Sequence, residues 1–576
     1  MTRTVKFVLT ALLAVACAGA LYVSLRVDPA PIEETRGGTL RAVLRDEPTG
    51  FNRYLGQPDN SKELLAQLVH ERLVRVNRAT DAIEPRLAER WTAEPDGVTY
   101  TLTLRPGLTY SDGTPFTSAD VLFAFEAVYS KAANSSIGTA LTIGGKQLEV
   151  TAPDAATVRI RFPSPFGPGV RVLDNLPILA RHKLEPALRN GTFKEAWGLT
   201  TPASEMPGLG PFVIESYLPG RTLTLARNPR YWRKDDRGRQ LPYLDRVEFQ
   251  IVATMDTEVL QLESGAVDLM IFSDVRPEDY ARLRALQDQG RLRLADAGVS
   301  LDPPMFWFNL DPAAKAADPR RAWLLATDFR RALSHAIDRD AIVNTVYLGA
   351  AVPAFGPVTP GNKTWYVPDL PRYAYDPAAA RARFSALGFS DTNGDGLLED
   401  KAGRPVRFSI ITNRGNTIRE RTVAVMQEQL RKTGVTMDIT ALERGAVIQR
   451  ILSKDYDAVY FGAESSSTDP SSNLDFWVSS GGFHVWNMGQ SKPATDWERQ
   501  IDELMVRQVA TADLAERQRI YADVQRIFAE NIPVIYVAAP RVTVAMSPRV
   551  MNATPVPLRP TVLWNADVLA VRPGGS

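Results

Sequence analysis

The chain of 576 residues has a single cysteine, Cys17, and four scattered histidines, His70, His182, His335 and His484. One cysteine excludes an intrachain disulfide and, beyond residue 17, any thiol chemistry. The histidines show no metal-ligand spacing, so no direct transition-metal site is indicated. An excess of charge is also missing: 67 basic residues stand against 66 acidic ones, a formal net charge of +1. Without a global field or a basic run, nucleic acid is not an expected partner, and a small, specific ligand or a protein is. Catalytic signatures are absent as well. "HERLV" at 70–74 lacks the second histidine of a zinc protease. "IGGKQ" at 143–147 lacks the first glycine and final Ser/Thr of a phosphate loop, and no G-x-S-x-G occurs. The reading is a non-enzyme that requires no cofactor.

What is present starts at the N-terminus. Arg3 and Lys6 precede "FVLTALLAVACAGALYVSL", residues 7–25, which contains no charge. A basic start and an apolar run mark an export signal. Three outcomes stay open: lipidation of Cys17 after "AVAC", cleavage at "ACA" or "AGA", or retention of the run as an anchor, since ~20 apolar residues span a bilayer. Each places the residues beyond about 30 outside the cytoplasm. No later stretch is long and apolar enough to span. With 44% hydrophobic and 23% charged residues, the rest is a folded chain.

Residues 27–37 read as a polar linker. Period-2 alternation predicts strands at 39–45, 98–104, 157–162, 247–252, 406–413 and 435–442. "GPFVIESYLPGRTLTLARN" predicts a hairpin with Pro-Gly at its turn. Helical spacing predicts helices over 61–76, 117–130, 329–349, 417–434 and 513–533. "VIYVAAPRVTVAM" closes the pattern as a strand pair. Alternating elements of these lengths indicate an α/β class with mixed sheets, and Pro- and Gly-rich stretches near 203–210 and 300–304 are candidate junctions.

Several of these segments carry a family pattern. "ERL" at 71–73, "PRLAERW" at 85–91, "LRPGLTYSDGTPFTSADV" at 104–121, "AIDRDAI" at 336–342 and "YDAVYFG…TDPSSNLDFW" at 456–477 occur in order. The chain thereby resembles the extracytoplasmic solute-binding proteins of peptide and nickel ABC transporters, solute-binding family 5, from about 38 to 565. The resemblance implies a periplasmic-binding-protein-like α/β fold, type II with an extra domain: two lobes joined by a hinge, with a ligand cleft that closes. Residues 1–37 would be signal or anchor and linker. Lobe one would combine 38–70, 206–272 and 540–576, the extra domain 71–205, and lobe two 273–539. The implied role is the substrate-binding component of an ABC importer, a periplasmic monomer that delivers a peptide or peptide-like solute to permease subunits and their ATPases. Capture of a nickel chelate, an opine or an oligosaccharide is the alternative, and an extracytoplasmic hydrolase using Glu464 and Asp469 a remote one.

In peptide-binding relatives, an aspartate just before an Asp-Pro step grips the peptide's amino group. Here the segment reads "GAESSSTDPSSNLDFW". Asp469–Pro470 matches the step, but Ser466 stands three residues before Asp469. A buried ammonium without a carboxylate costs on the order of 3–5 kcal/mol. Either Glu464 therefore takes the role or the ligand is not an ordinary free-amine peptide; a solvated serine loop is the plain alternative. Glu464, Ser465, Ser466, Ser467, Asp469 and Trp477 are the ligand candidates of this segment. His484 and Trp486 alternate, which on a strand would set them on one side of a pocket, with a packing histidine beside a core tryptophan as the alternative. Trp307 and Asn309 would share a strand face in the same way. Arg414, or Arg419 or Arg421 after it, suits a ligand carboxylate, because guanidinium grips it bidentately; a surface arginine is equally compatible. Asp112 and Asp120 read as structure, in a turn and in the first turn of a helix.

"DTNGDGLLED" at 391–400 spaces oxygen ligands like a calcium loop: Asp391, Asn393, Asp395, with Glu399 to complete it. The twelfth position is Ala402 and a strand follows, so this is not an EF-hand. The expectation is a surface turn in lobe two, with a structural calcium ion as its candidate staple.

Overall fold

A computed structural model describes residues 36–56, 60–271, 275–462 and 467–572. The strand Thr39–Leu44 pairs in parallel with Arg246–Ile251. Thr222–Arg227 and Phe212–Leu218 extend this sheet as the expected antiparallel hairpin. At the other edge, Leu269 bridges Ala42 and Met546. The long strand Ala538–Met546 and its antiparallel partner Arg293–Val299 therefore continue the layer. A second, antiparallel sheet is ordered Ala88–Ala93, Thr99–Leu104, Thr157–Arg161, Glu149–Asp154. The helix Ser118–Tyr129 starts where Thr117 N donates to Asp120 Oδ2 at 2.9 Å. Asp120 is thus a cap, and Asp112 closes its turn by accepting from Thr114 N at 3.0 Å. Leu102, Phe123 and Leu173 join Leu40 and Phe249 in one continuous core.

The third sheet is ordered Thr436–Leu442, Arg407–Asn413, Ala458–Phe461, Met305–Phe308, Val534–Tyr536. Both of its faces are covered. Phe306, Phe308, Phe408 and Tyr460 pack on one side, and Trp307, Ile411, Val459 and Tyr536 on the other. The chain passes between the two halves at 300–304 and again at Val537.

Four expectations change. The helix expected over 61–76 runs Asn60–Leu68, and Glu71–Arg72 and Val74–Val76 are short strands. Four consecutive buried residues, Glu71 to Val74, cannot share one helix face. The helix expected over 329–349 is two, Thr327–Ala336 and Arg339–Thr345. Asp338 caps the second by accepting from Ala341 N at 2.9 Å. Buried Arg339, its guanidinium pushed down to about 9 by desolvation, donates to the carbonyls of Ala354 and Tyr536 at 3.0 and 2.9 Å. The strand pair expected at 534–546 is no hairpin, because its strands enter different sheets. Finally, Pro277–Asp288 packs through Leu283 with Val43, Val259 and Leu262. That contact moves the junction from 273 to the 300–304 crossing.

Among the described residues no helix is long and apolar enough to cross a membrane. The apolar run 7–25 and Cys17 lie outside the described residues.

Candidate functional site

The two halves meet around a cavity of about 770 Å³. Val76, Ile143, Phe166 and Val172 line it from the first half, and Leu474 and Val509 from the second. A smaller cavity of about 120 Å³ lies beside the crossings, lined by Leu301, Met305, Phe476, Trp477, Tyr521 and Tyr536. Ser467 and Thr468 border both.

A polar bridge spans the cleft at this border. Asp81, held at φ 63°, accepts from Arg171 of its own half and from two hydroxyls of the other. Thr468 Oγ1 donates to Asp81 Oδ1 at 2.7 Å and Thr364 Oγ1 to Asp81 Oδ2 at 2.9 Å. Arg171 Nη2 also reaches Thr468 Oγ1 at 2.7 Å. Nearby, Gly167 N donates to Val509 O at 2.5 Å. A Cβ on Gly167 would lie 1.9 Å from Thr511 O, so only glycine permits this approach of the two backbones.

The sequence candidates distribute unevenly around this site. Ser467 and Asp469 line the larger cavity, and Ser467 and Trp477 the smaller. Asp469 lines it without a free carboxylate. Arg517 Nη1 and Nη2 donate to it at 2.9 and 2.7 Å, and Ser471 Oγ at 2.7 Å. Burial alone would raise the Asp469 carboxyl; the Arg517 pair outweighs it and holds it below the ordinary range. Glu464, Ser465 and Ser466 lie outside the described residues.

The remaining candidates are corrected. His484 and Trp486 are not on a strand, and each is 1% exposed. Both face Glu498: His484 Nε2 and Trp486 Nε1 each lie 3.2 Å from its Oε1. The pair is core. Trp307 is also 1% exposed and donates to Tyr456 OH at 3.3 Å. Asn309 is buried too, with Nδ2 donating to Lys454 O at 2.8 Å. A sheet covered on both faces leaves neither residue an open side. Arg414 is exposed and donates to Ala441 O at 3.3 Å, away from either cavity. Arg419 lies 4.7 Å over the Phe461 ring and donates to Asn413 Oδ1 at 2.8 Å, and Arg421 is exposed.

The loop 391–400 does not converge on a cation. Asp391 accepts from Gly394 N and Gly396 N at 2.7 and 2.9 Å. Glu399 Oε2 accepts from Thr392 N and Oγ1 at 2.8 and 2.7 Å, and Asn393 Nδ2 reaches both Glu399 Oε1 and Asp395 Oδ2 at 3.2 Å. These oxygens are taken by the loop's own donors. Among the described residues no group of three or more His, Cys, Asp or Glu could hold a metal ion. The residues do not fit the calcium expectation.

Sequence reasoning passed over Asp81, Arg78, Arg171 and Asp475. Asp81, Arg78 and Arg171 sit in no periodic or motif segment, and Asp475 lies within the 456–477 pattern without having been singled out. The bridge joins residues 387 positions apart, a pairing that no local pattern announces.

Two halves joined by two short crossings, with a cavity lined from both, define a solute-binding protein of the two-lobed class. The family model described as "Bacterial extracellular solute-binding proteins, family 5 Middle" matches residues 82–484, and the chain belongs to this family. It is 28% identical over 543 residues to the "Probable ABC transporter-binding protein" of Deinococcus radiodurans, covering 91% of this chain and 90% of that one. It is 24% identical over 543 residues to the oligopeptide-binding protein AppA of Bacillus subtilis, covering 92% and 91%. The solved structure of that AppA with a nonapeptide matches with a TM-score of 0.69 over 94% of this chain and 100% of that one. NikA from Brucella suis in complex with Fe(III)-EDTA shares the fold, with a TM-score of 0.75 at 19% identity over 93% and 100%. The expected family, its α/β periplasmic-binding fold and the reading as the substrate-binding component of an ABC transporter are borne out.

Proposed function

We propose that this protein captures a peptide or peptide-like solute outside the cytoplasmic membrane and hands it to an ABC permease without chemistry. The observation that carries the reading is the cleft cavity of about 770 Å³, lined from both halves by polar and apolar side chains that together expose a mainly apolar surface. That size lies within the roughly 300–1,000 Å³ of small-ligand sites. The likeness to oligopeptide-binding AppA over nearly the whole chain supports a peptide or peptide-like solute. Either the apolar run 7–25 or a lipid on Cys17 would keep the receptor near its permease. Native mass spectrometry of the protein from its own compartment tests the ligand. A co-purifying peptide mass is expected; a sugar or metal chelate with no peptide would displace the reading.

Closure in this reading depends on the Asp81 bridge. Asp81→Ala removes the acceptor shared by Arg171, Thr364 and Thr468. Charge-assisted hydrogen bonds lost from the closed state reduce the binding-competent population, so apparent affinity for the co-purified ligand falls about tenfold or more. Calorimetry checks this, with small-angle scattering reporting a larger radius of gyration for the ligand-bound variant. Unchanged affinity and radius would assign Asp81 to folding alone.

A further inference from the structure

Five charged residues line the larger cavity: Arg78, Arg171, Asp174, Asp469 and Asp475. Three are engaged. Arg171 belongs to the Asp81 bridge, and Asp469 is paired with Arg517. Asp174 Oδ1 accepts from Val76 N at 3.2 Å and lies 3.9 Å from Arg72 Nε. The other two are not engaged. Among the described residues, neither the Arg78 nor the Asp475 side chain makes a hydrogen bond or ion pair. They stand on different walls, Arg78 on the first half and Asp475 on the second.

We propose that Arg78 is an anion-binding residue of the cleft that takes a carboxylate of the solute, and that Asp475 takes its cationic group. This rests on the peptide reading above and narrows it: the ligand is a zwitterion with separated charges and an apolar middle. Arg78 is half-buried, and burial holds its guanidinium below the ordinary range, with Asp174 opposing. Asp174 acts on it without reaching ion-pair distance. A partly desolvated guanidinium with no internal partner gains more from an incoming carboxylate than one already paired, and its planar fork matches that group bidentately. The walls between the charges offer Val76, Phe166, Val172 and Leu474 to an apolar body. Asp475, exposed on the opposite wall, supplies a carboxylate to a ligand ammonium.

The test is calorimetric titration of the full chain, Arg78→Gln and Asp475→Asn. The probes are di- to nonapeptides with free termini, their C-terminal amides and N-acetyl forms, and amino-dicarboxylic opines. Neither side chain has an internal hydrogen bond, so both variants should melt with the wild type. The wild type is expected to lose about 10- to 100-fold in affinity on C-terminal amidation. Arg78→Gln should bind the free acid as weakly as the wild type binds the amide, and be indifferent to amidation. Asp475→Asn should show the same indifference to N-acetylation. Peptide binding that neither Arg78→Gln nor amidation alters would overturn the subsite and leave the peptide reading standing. Binding of opines but not peptides, lost in Arg78→Gln, would keep the subsite and end the peptide reading. No binding of any of these carboxylates by the wild type would end both.

Discussion

Asp469→Ala is expected to lower the unfolding free energy by about 3–5 kcal/mol, because it strands a buried guanidinium. Asp469 and Arg517 are each 4% exposed in their side chains and meet through two parallel hydrogen bonds. Arg517 also lies 5.0 Å over the Trp365 ring and donates to Gln508 O at 3.3 Å, so it is fixed from several sides. Removing its carboxylate leaves the charge in place without water to solvate it. Arg517→Met should cost a similar amount by stranding the carboxylate. The double variant Asp469→Leu/Arg517→Met should cost less than the sum, since two apolar groups strand nothing. Urea unfolding of the four proteins measures the coupling. Additive singles, or singles below about 1 kcal/mol, would contradict the assignment. The pair also sets the cavity edge, because Asp469 Oδ1 accepts from Ser471 N at 3.0 Å and Asp469 N donates to Ser467 Oγ at 3.2 Å. Its loss should therefore weaken ligand binding even where the variant remains folded.

Asp469 also shows where sequence reading succeeds and where it stops. The Asp-Pro step was legible, and the structure places Ser467 and Asp469 of its segment on the cavity wall. Its partner was not legible, because Arg517 looks like any other helical arginine 48 residues away. Strands with strict alternation, such as Arg407–Asn413 and Thr157–Arg161, were readable because period 2 is enforced locally by the pleat. The same alternation misled at Trp307 and Asn309. It gives the side of a strand, not whether that side faces a cleft or a second layer of core. The helix expected over 329–349 breaks because Asp338 offers a local cap and Arg339 has distant carbonyls to satisfy, and only the first is visible in sequence. The charged groups left free in the cavity are the least legible of all, because being unpaired is a property of the whole fold.

Glu498→Gln is the second large expected loss, and its pH dependence has a definite sign. Glu498 is 2% exposed in its side chain. His484, Trp486 and Gln490 converge on its Oε1 at 3.2, 3.2 and 3.0 Å, and Thr495 Oγ1 donates to its Oε2 at 2.8 Å. Burial alone would raise this carboxyl; the hydrogen bonds from His484, Thr495 and Gln490 outweigh it and bring it from 4.5 to about 2. A folded value below the unfolded one means that ionised Glu498 favours the fold. Its contribution, on the order of 3 kcal/mol, is complete above about pH 5 and disappears as pH falls towards 2. Glutamine keeps the shape but replaces one acceptor oxygen with a donor that faces other donors. The variant should therefore lose about 2–4 kcal/mol at neutral pH, and its stability should fall less steeply than that of the wild type between pH 5 and 2. Urea unfolding across that range, on both proteins, decides it. Parallel pH curves would show that Glu498 is not held ionised, and the His484–Trp486 pair would then owe its burial to packing alone.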